Sequence, residues 1–165
     1  MTAKDIVHGI LGITAAFILY ALLSKISLIL PLIIGVFSIL VIYFAILRGE
    51  IFGSITGAVC GLIQDSFTLG VFGIFGISKT IMGYFAGFAA KRMLVIPRFR
   101  LFIFMLVLFS GELGIWIFLY SLIFAQPLNT YGNLIFLSPL VSSVIGSLLF
   151  PFFRKIYYTR YNEAE

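Results

Sequence analysis

Three ionisable residues stand in apolar surroundings in this sequence: Asp65, Lys79 and Glu112. Asp65 ends the stretch "GSITGAVCGLIQD", in which Gly53, Gly57 and Gly61 recur every fourth residue and the next step of four lands on the acid. Lys79 lies in "GISKTIMGYFAGFAAK" and Glu112 in "FSGELGIW". A charge held at membrane depth costs ~2.5–3.5 kcal/mol or more, so each should be paired or reached by water. An acid on one small-residue face and a base on the next predict that Asp65 and Lys79 are close partners. The alternative is that Asp65 caps a helix end. Glu112 admits several readings: a cavity ligand, a proton relay, a contact with a partner's helix, or a protonated acid bonded to a neighbouring backbone or hydroxyl group.

Other chemistry is sparse. One histidine, His8, and one cysteine, Cys60, supply neither a Ser-His-Asp set within the membrane nor a disulfide or thiolate metal site. The glycines at 53, 57 and 61 imitate a phosphate-binding loop, but the Lys-Ser/Thr ending is missing. The expectation is a protein without enzymatic activity, cofactor or metal.

The elements that must hold these residues follow from composition. The chain has 165 residues, 62% of them hydrophobic and 10% charged. A soluble domain carries roughly 25% charged residues, so lipid must be the solvent for much of this chain. Runs of about 20 apolar residues suffice to span a bilayer. Six such helices are expected, near 6–23, 28–47, 51–66, 71–90, 99–125 and 133–153, in one domain over 1–165 with short loops: an all-α integral membrane bundle. The N-terminus lacks a basic region followed by a small-residue cleavage site, so no removed signal peptide is read there.

On an ideal helix over 51–66, the small residues, Gln64 and Asp65 gather on one side, opposite Ile51, Phe52, Ile55, Val59, Leu62 and Ile63. The fourth helix repeats the device with Gly76, Gly83 and Gly87 beside Lys79. Small faces let backbones approach in lipid, so these two helices are expected to pack tightly.

Basic residues set the expected orientation. Lys91, Arg92, Arg98 and Arg100 lie between the fourth and fifth helices, while Arg154, Lys155 and Arg160 follow the sixth. Arg48 and Lys4 fall on the same side, and Lys25 opposite. Six spans with both termini in the cytoplasm explain most of the net charge of +5.

The span from Pro31 to Gly87 resembles the rod shape-determining protein MreD family. A proline opens the second helix, and an Arg-Gly-Glu turn follows at Arg48, Gly49 and Glu50. Then come glycines spaced by four, the "GLIQD" element at 61–65, "SKT" and "GYFAG". Size, six helices and a short basic tail fit as well; Leu32 departs from relatives that carry an acid after the proline. The resemblance implies a non-enzymatic scaffold in the bacterial plasma membrane, part of the cell-elongation machinery for peptidoglycan synthesis. Its implied partners are MreC, a single-pass protein, and more distantly the MreB filament, RodA and a transpeptidase. The family is also similar in fold to the S subunits of energy-coupling-factor transporters.

Three functions are therefore weighed. A scaffold would dock membrane partners by helix packing, with the loop around Pro97 and the tail after Phe153 as surfaces for soluble ones. A small-molecule-binding transporter subunit would enclose a polar cavity near the outer leaflet, lined by Asp65, Lys79, Glu112 and Trp116. An enzyme acting on lipid-linked substrate would need an acid, base and nucleophile set that the sequence does not display.

Overall fold

A computed structural model describes residues 3–27, 30–68, 72–90, 98–123 and 136–149, and these are helical with short connections. In chain order the helices are α1 (Ala3–Ile26), α2 (Leu30–Ile34), α3 (Val36–Arg48), α4 (Glu50–Phe67), α5 (Ile74–Ala90), α6 (Arg98–Ile123) and α7 (Ser138–Leu149). Within α1 and α6, the stretches Val7–Ile26 and Phe99–Ile123 are long and apolar enough to cross a membrane.

The single helix expected over 28–47 is instead two. Gly35 takes the left-handed conformation, φ 59° and ψ 42°, and separates α2 from α3. A residue with a Cβ is strained there. The break takes the carbonyl of Ile33 out of the helical ladder, and two serines of α7 supply replacements: Ser142 Oγ donates to it at 3.0 Å and Ser138 Oγ at 3.3 Å. A freed carbonyl inside an apolar bundle is costly unless bonded, so the break and the serines form one device. The next turn, Arg48-Gly49-Glu50, uses Gly49 at φ 91° and ψ −179°, a region open to glycine alone, to fold α4 back beside α3.

Helices α4 and α5 form an antiparallel hairpin joined along their small faces. A methyl built on Gly53 would meet Ala45 Cβ and the Gly83 carbonyl at 2.6 Å, and one on Gly61 would meet Gly76 Cα at 2.5 Å. Between them, a methyl on Gly57 would strike the carbonyl of Lys79, and one on Gly87 the backbone of Glu50. Partners fall in sequence number as α4 rises, which gives the antiparallel sense. Hydroxyls in this hairpin bond to their own helix, as Thr56 does to the Phe52 carbonyl at 2.9 Å and Thr80 to the Gly76 carbonyl at 2.7 Å. These hydroxyls are thereby bonded without water.

Helix α3 packs on this hairpin and is the most enclosed element. Phe37, Val41, Ile42 and Ala45 are buried among Cys60 of α4, Met82 and Ala86 of α5, and Met105 and Phe109 of α6. Helix α1 covers α3 with Ala16 and Tyr20, while Val7, Ile10, Leu11, Ile18 and Leu22 point outward. The outer sides of α4, α5 and α6 are likewise apolar: Ile51, Ile55, Val59, Leu62, Phe85, Phe88, Val107 and Phe118 are all exposed.

Candidate functional site

The ionisable residues of the bundle are arranged differently from the expected Asp65–Lys79 pair. Lys79, on the second turn of α5, is 1% exposed and pairs with Glu112 of α6, not with Asp65. Its ammonium donates to Glu112 Oε1 and to Ser38 Oγ. Ser38 completes the triangle by donating to the same Oε1 at 2.8 Å. Helix α3 contributes Ser38 because the break at Gly35 lets its first turn enter at this depth. Two buried charges removed from water are costly, and their contact with each other and with Ser38 offsets part of that cost. Glu112 is thus paired with Lys79 and bonded by the Ser38 hydroxyl, and it also lines a cavity. Phe75 adds its ring, 5.8 Å from the Lys79 nitrogen.

Asp65 performs a separate task that corrects the expected pairing. Its two oxygens accept backbone N–H groups from across the α4–α5 connection: Gly73 at 3.0 Å, Phe75 at 3.1 Å and Gly76 at 3.0 Å. These are donors at the start of α5, where intrahelical acceptors are lacking. A carboxylate there also meets the positive end of the helix dipole. Asp65 is therefore a cap, but for the following helix rather than for its own. The physical reason for the correction is competition: three preplaced N–H donors satisfy Asp65, and Glu112 lies beside Lys79.

Beside the ion pair lies a cavity of about 80 Å³, bounded by α3, α4, α5, α6 and α7. Ser38, Gln64, Phe75, Lys79, Glu112 and Trp116 line it, together with Ser138 and Ser142. Of the residues that the sequence places at such a site, Lys79, Glu112 and Trp116 are present and Asp65 is not. Phe75 and Trp116 make an aromatic wall, with centroids 5.6 Å apart and planes 29° apart, and Tyr120 extends it by stacking on Trp116 at 5.3 Å. Gln64 is 6% exposed, and its carboxamide makes no hydrogen bond among the described residues. The volume exceeds the ~10–15 Å³ needed for one water several times over.

Ser38, Gln64, Phe75 and Ser142 escape notice as site residues in the sequence. Ser38 is the lone serine in "GVFSILVIYF", a signal that was available; Gln64 adjoins Asp65 on the small face. Gly53, Gly57, Gly61, Gly76, Gly83 and Gly87 all lie in the α4–α5 contact, Gly76 against Gly61, Leu62 and Asp65. Arg48 ends α3, and Arg100 is exposed on the first turn of α6. Arg98 begins α6. Lys91, Arg92, Arg154 and Lys155, like the ends of the helix expected over 133–153, lie outside the described residues.

Comparison with protein-family models, curated proteins and solved structures found no match to this chain.

Proposed function

We infer that the chain is a six-span, non-enzymatic membrane scaffold of the bacterial cell-elongation complex, of the kind represented by the MreD family. Six spans arise when α2 and α3 count as one broken crossing, with α1, α4, α5, α6 and α7 as the others. Both termini and the basic connections face the cytoplasm, which puts the break at Gly35 and the cavity in the outer half of the bundle. The apolar side chains exposed on α1, α4, α5 and α6 support immersion in lipid, since a patch of this extent on a soluble surface would drive association.

What supports the non-enzymatic part is that the buried polar groups are used on one another across helices. Lys79, Ser38 and Glu112 form a closed triangle of contacts. The three groups clamp α3, α5 and α6 together, a structural use of the charges. The small faces of α4 and α5 are consumed within the chain, so a partner such as MreC would dock on the outer faces of the bundle.

Crosslinkers placed at Ile55, Phe85, Val107 and Phe118 test this reading in cells that express the full chain. A specific crosslink to a single-pass membrane protein from one of these faces, with loss of rod shape on depletion, is the expected result. Crosslinks to lipid alone and normal shape without the chain would count against it.

A further inference from the structure

We propose that the cavity between α3, α4, α5, α6 and α7 is a binding site for a small, uncharged, planar molecule that carries an N–H donor beside a carbonyl acceptor, such as a cyclic amide or imide. This goes beyond the scaffold reading and does not depend on it.

The first support is Gln64. It is 94% buried by its 6% exposure, it borders the cavity, and its carboxamide has no partner among the described residues. Buried carboxamides are normally bonded, because desolvation without a partner is unfavourable. A carboxamide presents one acceptor and two donors, and a cyclic amide edge returns the complementary pair. The second support is Glu112 Oε2. Among the described residues, both bonds to this carboxylate arrive at Oε1, from Ser38 and Lys79. Among these residues Oε2 therefore keeps its lone pairs for an N–H group of the occupant.

Charge and shape narrow the class further. Lys79 and Glu112 cancel at contact distance, so neither an anion nor a cation gains a net partner. An uncharged occupant is desolvated at the least cost. The wall of Phe75 and Trp116 offers flat apolar surface against which a ring packs. The cavity volume of about 80 Å³ admits several waters or a single ring.

Trp116 is the chain's one tryptophan and lines the cavity, so its emission reports occupancy directly. The full chain in lipid nanodiscs is titrated with uracil, 2-pyridone and nicotinamide. Two comparators are 1,3-dimethyluracil, which lacks the N–H donor, and orotate, which adds a negative charge to the same ring. The expected result is a saturable change in Trp116 emission with at least one of the first three, and binding of both comparators weaker by about tenfold or more, the loss of roughly one buried hydrogen bond. Gln64→Leu should weaken the probe to the same degree while leaving the melting temperature of the unliganded chain equal or higher. No saturable response to the three neutral probes at millimolar concentration overturns the proposal. So does equal binding of orotate, or an unchanged affinity in Gln64→Leu. Should that variant not fold, the ranking of the probes on the unaltered chain decides. Failure here leaves the crosslinking result for the scaffold untouched, and the reverse also holds.

Discussion

Lys79 and Glu112 are the residues on which the bundle is most exposed to mutation. Lys79→Met leaves a buried carboxylate and serine without their cation. Loss of one partner of a buried pair costs about 3–5 kcal/mol. The expected outcome is a marked fall in melting temperature in detergent, with Glu112→Leu in the same chain restoring most of it. A double variant as unstable as the single one would show that the pair is not the source. Asp65 serves by different physics. Asp65→Asn keeps the shape but offers one neutral acceptor where a carboxylate took three N–H groups, and bonds to charged groups contribute ~1.5–3 kcal/mol each. The variant should melt earlier, and hydrogen exchange at Phe75 and Gly76 should accelerate before the rest of α5 is affected. Lys79 is legible in the sequence as a buried cation in need of an acid. Which acid it meets is not, because Asp65 and Glu112 are both plausible until the donors at 73–76 are placed around Asp65.

At the scale of elements, Gly35, Gly49 and Gly73 take positive φ and bend the path, and six glycines let α4 and α5 touch. Gly35→Ala forces a left-handed backbone on a residue with a Cβ, at about 1–2 kcal/mol, and sets that Cβ 2.7 Å from Ser142 Oγ. Gly57→Ala and Gly83→Ala drive a methyl into the facing backbone carbonyl, and overpacking of this kind costs ~1–3 kcal/mol. Each should lower the melting temperature at unchanged helical circular dichroism, since the helices persist while their contact is lost. A substitution on the outer face, such as Val59→Leu, should leave both unchanged. The glycine spacing of four made the α4–α5 contact face readable. The break at Gly35 was not readable, because the groups that satisfy its freed carbonyl are a pair of serines about a hundred residues away.

For the whole molecule, the proposed topology is checked by accessibility from either side. Cys60 is fully buried, so the native thiol supplies a silent background. A cysteine introduced at Val95 should react with a membrane-impermeant maleimide only after the cells are permeabilised, and one at Asn129 should react in intact cells. The reverse pattern would invert the orientation, and equal reactivity at both sites would overturn the count of spans between them. The polar centre is expected to hold the bundle together as the membrane environment changes, because α3, α5 and α6 share it. Detergents that strip lipid should therefore separate α1 before they separate α3 from α5, which limited proteolysis with mass mapping can follow.

The amino-acid sequence by itself determined the helical class, the apolar surroundings of Asp65, Lys79 and Glu112, and the small faces of α4 and α5. These follow from local properties: hydropathy over a turn or two, side-chain size at a spacing of four, and the cost of charge in an apolar run. Tertiary structure alone decided that Lys79 goes to Glu112, that Asp65 closes the start of α5, and that Gln64 faces a cavity without a partner among the described residues. Each of these depends on which groups compete for the same donor or acceptor in space, and hydrogen bonds of about 3 Å are decided by proximity across helices far apart in the chain.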